Sequence, residues 1–280
     1  MNICPYCGRE YADEVERCLI DDHVLPGTGP DKPPVLVTEP PSLPPEKFWT
    51  ERQLLILEVL VVCLITFGSA IIASSYHFIY GYSDTTRETT GSPFYSWSVR
   101  IEREVVALGL VWYLLLRRGK TFKDLGLVWV WKDLGWAIFL ICAGSLAFKG
   151  IYEGIHFAGL ASFTRQANDM RVGDILFGGG VSLMTFLFQI VNPFFEELIV
   201  RAYLMTQVRF LTGSVWTAIL ISTILQTSYH FYQGAPAAFG HAGTFLIFSI
   251  FYAKTKRITP VIFAHLYSDV GGTVWYLVHR

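Results

Sequence analysis

Four side chains set in apolar runs could carry acid–base chemistry: Glu196, His230, His265 and Asp269. An ionisable group in a membrane-like segment is costly to keep and marks a functional site by default. Gln189, Asn192 and Glu196 follow i, i+3, i+7 spacing and share one helix face. Ser222, Gln226 and His230 follow i, i+4, i+8, with Tyr229 and Gln233 beside them. His265 and Asp269 stand at i, i+4, just before Gly271-Gly272. Three polar stripes cannot all face lipid, where unsatisfied polar groups are expensive. They are expected to converge on one wet chamber. Glu197 and Arg201, at i, i+4 in the favourable order, are expected to pair and brace the helix, leaving Glu196 without a local counter-ion. Pro193 removes a backbone donor and predicts a kink beside the acids.

These groups suit hydrolysis. A carboxylate can take a proton from water and return it to a leaving amine. A His–Asp pair can hold a donor towards a developing oxyanion. Two histidines and a carboxylate equally describe a zinc site whose open position activates water. The chain has no His-Glu-x-x-His helix and no recognisable Ser or Cys nucleophile motif. Both readings, metal-free and metal-assisted, therefore end in attack by activated water.

The elements that must position these groups are membrane helices. Hydrophobic residues make up 52% of the 280 residues and charged residues 16%, against about 25% charged in an ordinary soluble domain. Mean hydropathy is +0.41. Charge is nearly balanced, 22 basic against 23 acidic residues, which argues against nucleic acid as a partner. Apolar runs long enough to cross a bilayer cover residues 54–80, 98–116, 133–158, 181–206, 214–232, 237–254 and 259–278. The second is the weakest, because Arg100, Glu102, Arg103 and Glu104 crowd its start, and it is read as beginning in the interface. The predicted fold class is an all-α polytopic membrane protein of about seven helices. Arg117, Arg118, Lys120, Lys123 and Lys132 form one basic cluster, and Lys254, Lys256 and Arg257 another. Seven spans put both clusters, and the N-terminus, on the cytoplasmic side.

The N-terminal region differs in kind. Residues 1–53 hold ten acids and five bases. Cys4, Cys7 and Cys18 lie in a segment too short to fold on an apolar core. Their spacing suits tetrahedral Zn2+, with His23 slightly favoured over Asp21 as the fourth ligand. A cytoplasmic position would keep these thiols reduced. A redox cysteine pair or an unstructured tail is the bland alternative. The head resembles the short zinc ribbons at the N-termini of many bacterial proteins, which implies a structural or protein-binding role. Eight prolines in residues 26–46 predict a semi-rigid tether. No cleavable signal peptide is expected from the polar first residues. The domain reading is a head at 1–25, a linker at 26–50 and a membrane domain at 51–280.

Glu196-Glu197-Leu-Ile-Val-Arg201, His230, and His265-Leu-Tyr-Ser-Asp269 together resemble the three motifs of the CPBP intramembrane proteases. That family includes type II CAAX prenyl endopeptidases and bacterial bacteriocin-processing or self-immunity proteins. Phe122-Lys-Asp-Leu-Gly-Leu127 looks like the short lead-in found upstream in such proteins. The resemblance spans roughly residues 120–275, and three elements in order within apolar runs make it specific. It implies Glu196 as water-activating base, His230 as its partner, and His265 and Asp269 as oxyanion-stabilising or metal-binding groups. Glu197 and Arg201 would brace the helix. It also implies a bacterial plasma-membrane protein in contact with lipid, acting on a peptide or protein substrate that is lipidated in some relatives. Gln226 departs from the family, which usually has Phe four residues before the second-motif histidine. That puts prenyl-peptide specificity in doubt.

The competing readings are a non-catalytic scaffold or self-immunity protein that keeps the fold, with the head recruiting a soluble partner, and a proton-coupled transporter. The latter is disfavoured because no paired repeats are visible. Bland roles are expected elsewhere: Glu58 snorkels, Glu153 and His156 pair near a span end, and His77 and His241 pack at interfaces. Trp129, Trp131 and Trp136 form an aromatic belt.

Overall fold

The computed structural model describes residues 2–4, 10–11, 17, 25, 49–80, 93–160 and 181–279. The chain divides into two units, Met1–Thr50 and Glu51–Arg280. In the first, strands β1 (Asn2–Ile3) and β2 (Glu10–Tyr11) pair antiparallel, with Asn2 opposite Tyr11 and Ile3 opposite Glu10. Cys4, at the exit of β1, is fully buried with Leu25, and Tyr11 packs on them. Cys7, Cys18, Asp21, His23 and the proline tether lie outside the described residues.

The second unit is all-α. Its helices are α1 (Glu51–Tyr80), α2 (Pro93–Leu116), α3 (Lys132–Phe157), α4 (Leu183–Thr212), α5 (Val215–Ser228), α6 (Ala235–Thr255) and α7 (Thr259–Val278). Helices α1, α3, α4 and α6 are long and apolar enough to cross a membrane by length and composition. Helix α4 is the central one: half of its apolar window is buried, against 17% for α3. The outward faces of α1, α2 and α3 carry exposed Leu, Ile, Val and aromatic side chains, as a lipid-facing surface requires.

Helix α2 starts at Pro93 and runs for 24 residues with the charged turns inside it, and it is not among the four helices apolar enough to cross a membrane by length and composition. Trp97, Glu104, Ala107, Val111 and Leu115 form its buried face, and Trp97 meets Phe188 of α4 with ring centroids 4.7 Å apart. One expectation about the helices changes in the structure. Helix α5 ends at Ser228, so His230 sits in the following turn rather than on a continued helical stripe. The next residues, Phe231–Gln233, form a 3-10 turn. The Tyr232 N–H donates to Ser74 Oγ of α1 at 2.9 Å, which pins this turn to the bundle.

Helix α4 carries the other departure. Beyond Pro193 the chain widens into a π-helical segment, Glu197–Leu204. All eight of its residues are buried. π-Helical turns are rare and concentrate at functional sites. Glu58, half-buried, has both carboxylate oxygens engaged: Tyr203 donates to its Oε1 at 2.6 Å and Arg118 to its Oε2 at 2.6 Å. Helices α3 and α6 approach closely through small residues. A Cβ on Gly243 would lie 2.6 Å from Ile151, and one on Gly144 would lie 2.8 Å from Thr244. Close backbone approach at glycine is a recurrent way to join membrane helices, which have no hydrophobic drive towards one another in lipid.

The lead-in segment works as a clamp. Thr121 caps a 3-10 turn at Phe122–Leu125, and the Asp124 carboxylate accepts from the Thr121 N–H at 2.6 Å and its hydroxyl at 2.9 Å. Those bonds, the backbone one first, hold the Asp124 carboxyl below its ordinary range. The Gly126 carbonyl accepts from the Ile258 N–H at 3.2 Å, and the Tyr252 hydroxyl reaches the Leu125 carbonyl at 3.1 Å. Both basic clusters therefore sit at one end of the bundle, joined further by an Arg257–Asp133 ion pair at 2.5 Å. Gly126 has φ +91, and a Cβ there would lie 1.9 Å from the Lys256 carbonyl oxygen. The left-handed backbone alone costs a side-chain-bearing residue roughly 1–2 kcal/mol, and the clash adds to it. Gly126→Ala is expected to lower the melting temperature of the detergent-solubilised protein by several degrees. An unchanged melting curve would show that the clamp contributes nothing.

Candidate active site

The sequence brings an acid pair, Glu196 and Glu197, to the junction where α4 turns from α- to π-helical. The two carboxylates point to different partners. Fully buried Glu197 accepts from Arg201 Nη1 at 2.5 Å on one oxygen and from His265 Nδ1 at 2.8 Å on the other. Glu196 is 7% exposed and accepts from Gln226 Nε2 at 2.7 Å. The Tyr229 side chain lies against it, with His265 and Glu197 as its nearest charged neighbours.

Gln226 joins the site together. It is fully buried on α5. Its amide nitrogen holds Glu196, its side-chain oxygen accepts from Arg201 Nη2, and its backbone carbonyl accepts from His230 Nδ1 at 2.8 Å. A carbonyl can only accept, so Nδ1 of His230 carries the hydrogen and Nε2 is the nitrogen open to other partners. The amide in the position where relatives have Phe is thus part of the network. Arg201 is fully buried too, its guanidinium carbon 5.5 Å from the ring centres of Phe245 and Phe248. Its planar fork spans Glu197 and Gln226 at once, which the point charge of lysine could not do.

His265 and Asp269 complete the arrangement from α7. His265 Nε2 lies 3.6 Å from Asp269 Oδ2, so each ring nitrogen faces a carboxylate. Asn192 of α4 sits against Asp269, and Gln189 bonds Thr273. The Gln189, Asn192 and Glu196 stripe therefore faces α7 and α5. His230 borders the site from the turn, its ring centroid 4.8 Å from Tyr229 and 5.5 Å from His241. His241 does more than pack: its Nε2 meets Gln233 Oε1 at 2.8 Å.

Counted in residues from the helix ends, Glu196, His230 and His265 would stand at different depths. The structure brings their helices into register all the same, through the Glu197–His265 and Gln226 bonds. No direct Glu196–His230 hydrogen bond forms; Gln226 links them. Glu104 of α2 is a neighbour that sequence reasoning treated only as a weakness of its span. It is 8% exposed, with Glu196, His265 and Asp269 among its electrostatic neighbours. The signal was present: an acid on the face of Trp97, Ala107 and Val111.

Chemically, the site offers a carboxylate, an imidazole nitrogen and a His–Asp pair within one cluster of buried groups. Among the described residues no group of three or more His, Cys, Asp or Glu side chains is arranged to hold a metal ion. Nδ1 of His265 is taken by Glu197, while its Nε2, 3.6 Å from Asp269 Oδ2, makes no hydrogen bond.

Residues 178–271 match the family model described as Type II CAAX prenyl endopeptidase Rce1-like. The match takes in α4, α5, α6, most of α7 and the turn bearing His230, the part of the chain that carries every group of the site except Glu104. No curated protein and no solved structure gives a match. With its apolar helices, the chain is an integral, multi-pass membrane protein that carries a domain similar to that family.

Proposed function

Starting from an Rce1-like domain at residues 178–271, we propose that this protein is an intramembrane endopeptidase in which Glu196 and His230 activate one water molecule. The observation that carries the reading is the triple engagement of Gln226. One residue holds the Glu196 carboxylate with its side chain and the His230 ring with its carbonyl. That fixes base and imidazole relative to each other, as proton transfer requires. His230 Nε2 orients the water, and Glu196 takes its proton as the oxygen attacks the scissile carbonyl carbon. His265, backed by Asp269 and Glu197, donates to the oxyanion. Collapse of the tetrahedral intermediate breaks the C–N bond, and Glu196 returns its proton to the leaving amine. Arg201 and Glu197 keep the two sides of the site in place.

The test is cleavage of a quenched-fluorescent library of apolar peptides by the full chain in nanodiscs, set against its Glu196→Ala and His230→Ala variants. Undiminished cleavage by both variants would refute the mechanism. A wild-type chain that cleaves nothing, with its cellular phenotype surviving Glu196→Ala, would instead support a scaffold or self-immunity protein. A peptide substrate carrying a lipid, and placement in a bacterial plasma membrane with the basic end cytoplasmic, belong to the same proposal. The shared position of both basic clusters supports that orientation.

The head is proposed to hold Zn2+ on Cys4, Cys7, Cys18 and either His23 or Asp21, and to dock a soluble protein partner. Burial of Cys4 beside a two-stranded hairpin supports it. Metal analysis of the purified full chain is expected to find about one zinc per molecule, lost in Cys4→Ser/Cys7→Ser. Zinc retained in that double variant would put the metal in the membrane domain and favour metal-assisted hydrolysis.

A further inference from the structure

Among the described residues, Glu104 is the acid beside the site without a hydrogen-bonded partner on its buried oxygen. Glu197 has Arg201 and His265, Asp269 has His265 and Asn192, and Glu196 has Gln226. Glu104 is 8% exposed, and its Oε2 is buried with no hydrogen-bond partner. Arg100 stands one turn earlier on α2, but its guanidinium carbon lies 5.1 Å over the Trp97 ring. Arg100 is itself exposed and makes no ion pair with Glu104 among the described residues. A buried carboxylate oxygen left unsatisfied costs free energy in the empty protein. A donor brought to that oxygen would recover the cost.

The charges around it say what kind of donor. Glu104 has the acids Glu196 and Asp269 as electrostatic neighbours, with Arg100 and His265 as the cations. Arg201 and His265 are engaged by Glu197 and Asp269. The unsatisfied acceptor, Glu104 Oε2, lies where α2 meets the site. We propose that Glu104, with Glu196 and Asp269 beside it, receives a cationic group of the substrate: a lysine or arginine side chain close to the scissile bond. This rests on the peptidase reading of the same chamber and names its substrate class. A lysine has the reach for it, since its long apolar stem can lie in apolar surroundings while its ammonium meets a carboxyl group. A basic residue inside an otherwise apolar peptide is also costly in lipid, so the chamber would select peptides that carry one.

The experiment measures binding apart from hydrolysis. The full chain bearing the inactivating His230→Ala, in nanodiscs, is titrated with a fluorescent apolar peptide containing one lysine and with its norleucine counterpart, read by anisotropy. The lysine peptide is expected to bind about ten-fold more tightly or better, the order of a single charge-assisted hydrogen bond. Adding Glu104→Gln is expected to bring the lysine peptide down to the norleucine level. Glu104→Leu, which continues the apolar face of α2, is expected to do the same, and tryptophan-fluorescence melting checks that both variants fold. Equal binding of the two peptides, binding of neither, or a lysine preference that survives both substitutions would overturn the proposal. None of these results bears on whether Glu196 and His230 cleave peptides, which the library assay decides separately.

Discussion

Glu196→Gln is expected to lower peptide hydrolysis by about 10²–10⁴-fold, the range contributed by a positioned general base, while the protein stays folded. The geometry makes this a clean substitution. Glutamine keeps a carbonyl oxygen where Gln226 Nε2 now donates at 2.7 Å, so the bridge to α5 survives. What disappears is the capacity to accept a proton from water and hand it to the leaving amine. His230→Ala is expected to fall in the same range, with Gln226 left holding Glu196. The two losses should be far from additive, since both residues serve one proton transfer. Turnover numbers and melting temperatures for the two single variants and the double would measure this. A Glu196→Gln enzyme with wild-type turnover would place the base elsewhere.

Glu197→Ala should instead damage the fold. It removes the carboxylate that Arg201 and His265 share and leaves a guanidinium with no exposure to solvent, held only by Gln226. Removing one member of a buried pair typically costs about 3–5 kcal/mol, because the remaining charge stays desolvated. The pair sits in the π-helical segment against α5, α6 and α7, so the loss spreads through the centre of the bundle. Thermal unfolding in detergent is expected to show a large drop for Glu197→Ala and for Arg201→Ala. Glu197→Leu/Arg201→Met, which removes both charges and keeps the volume, should recover much of the stability without recovering activity. A Glu197→Ala protein that melts like wild type would mean the ion pair is not what holds this region.

Much of the architecture was legible from local pattern. The apolar runs located the helices of the membrane domain, and the Glu197–Arg201 brace followed from i, i+4 spacing on one element. The polar stripe of Gln189, Asn192 and Glu196 was legible for the same reason. What pattern could not supply were partners far away in the chain. Gln226 stood on a polar stripe as a departure from the family pattern, and its partners Arg201 and Glu196 lie 25 and 30 residues earlier, beyond what local spacing can show. Glu58 looked like a snorkelling acid, yet Arg118 and Tyr203 reach it across 60 and 145 residues. Glu104 looked like a charge entering the interface, because nothing in its own helix says which neighbours its buried face will meet.

Sequence by itself determined the kind of molecule this is: apolar runs of bilayer length fix where helices form, since backbone groups in lipid must bond within the segment. It also determined which residue types were costly enough to be functional. Only the tertiary structure decided how those residues are divided: Glu197 bound by Arg201 and His265, Glu196 and His230 tied through Gln226, and Glu104 left without a partner. Those assignments depend on how α2, α4, α5 and α7 rotate and slide against one another. Side-chain packing sets that, and one turn of slip would exchange every partner in the site.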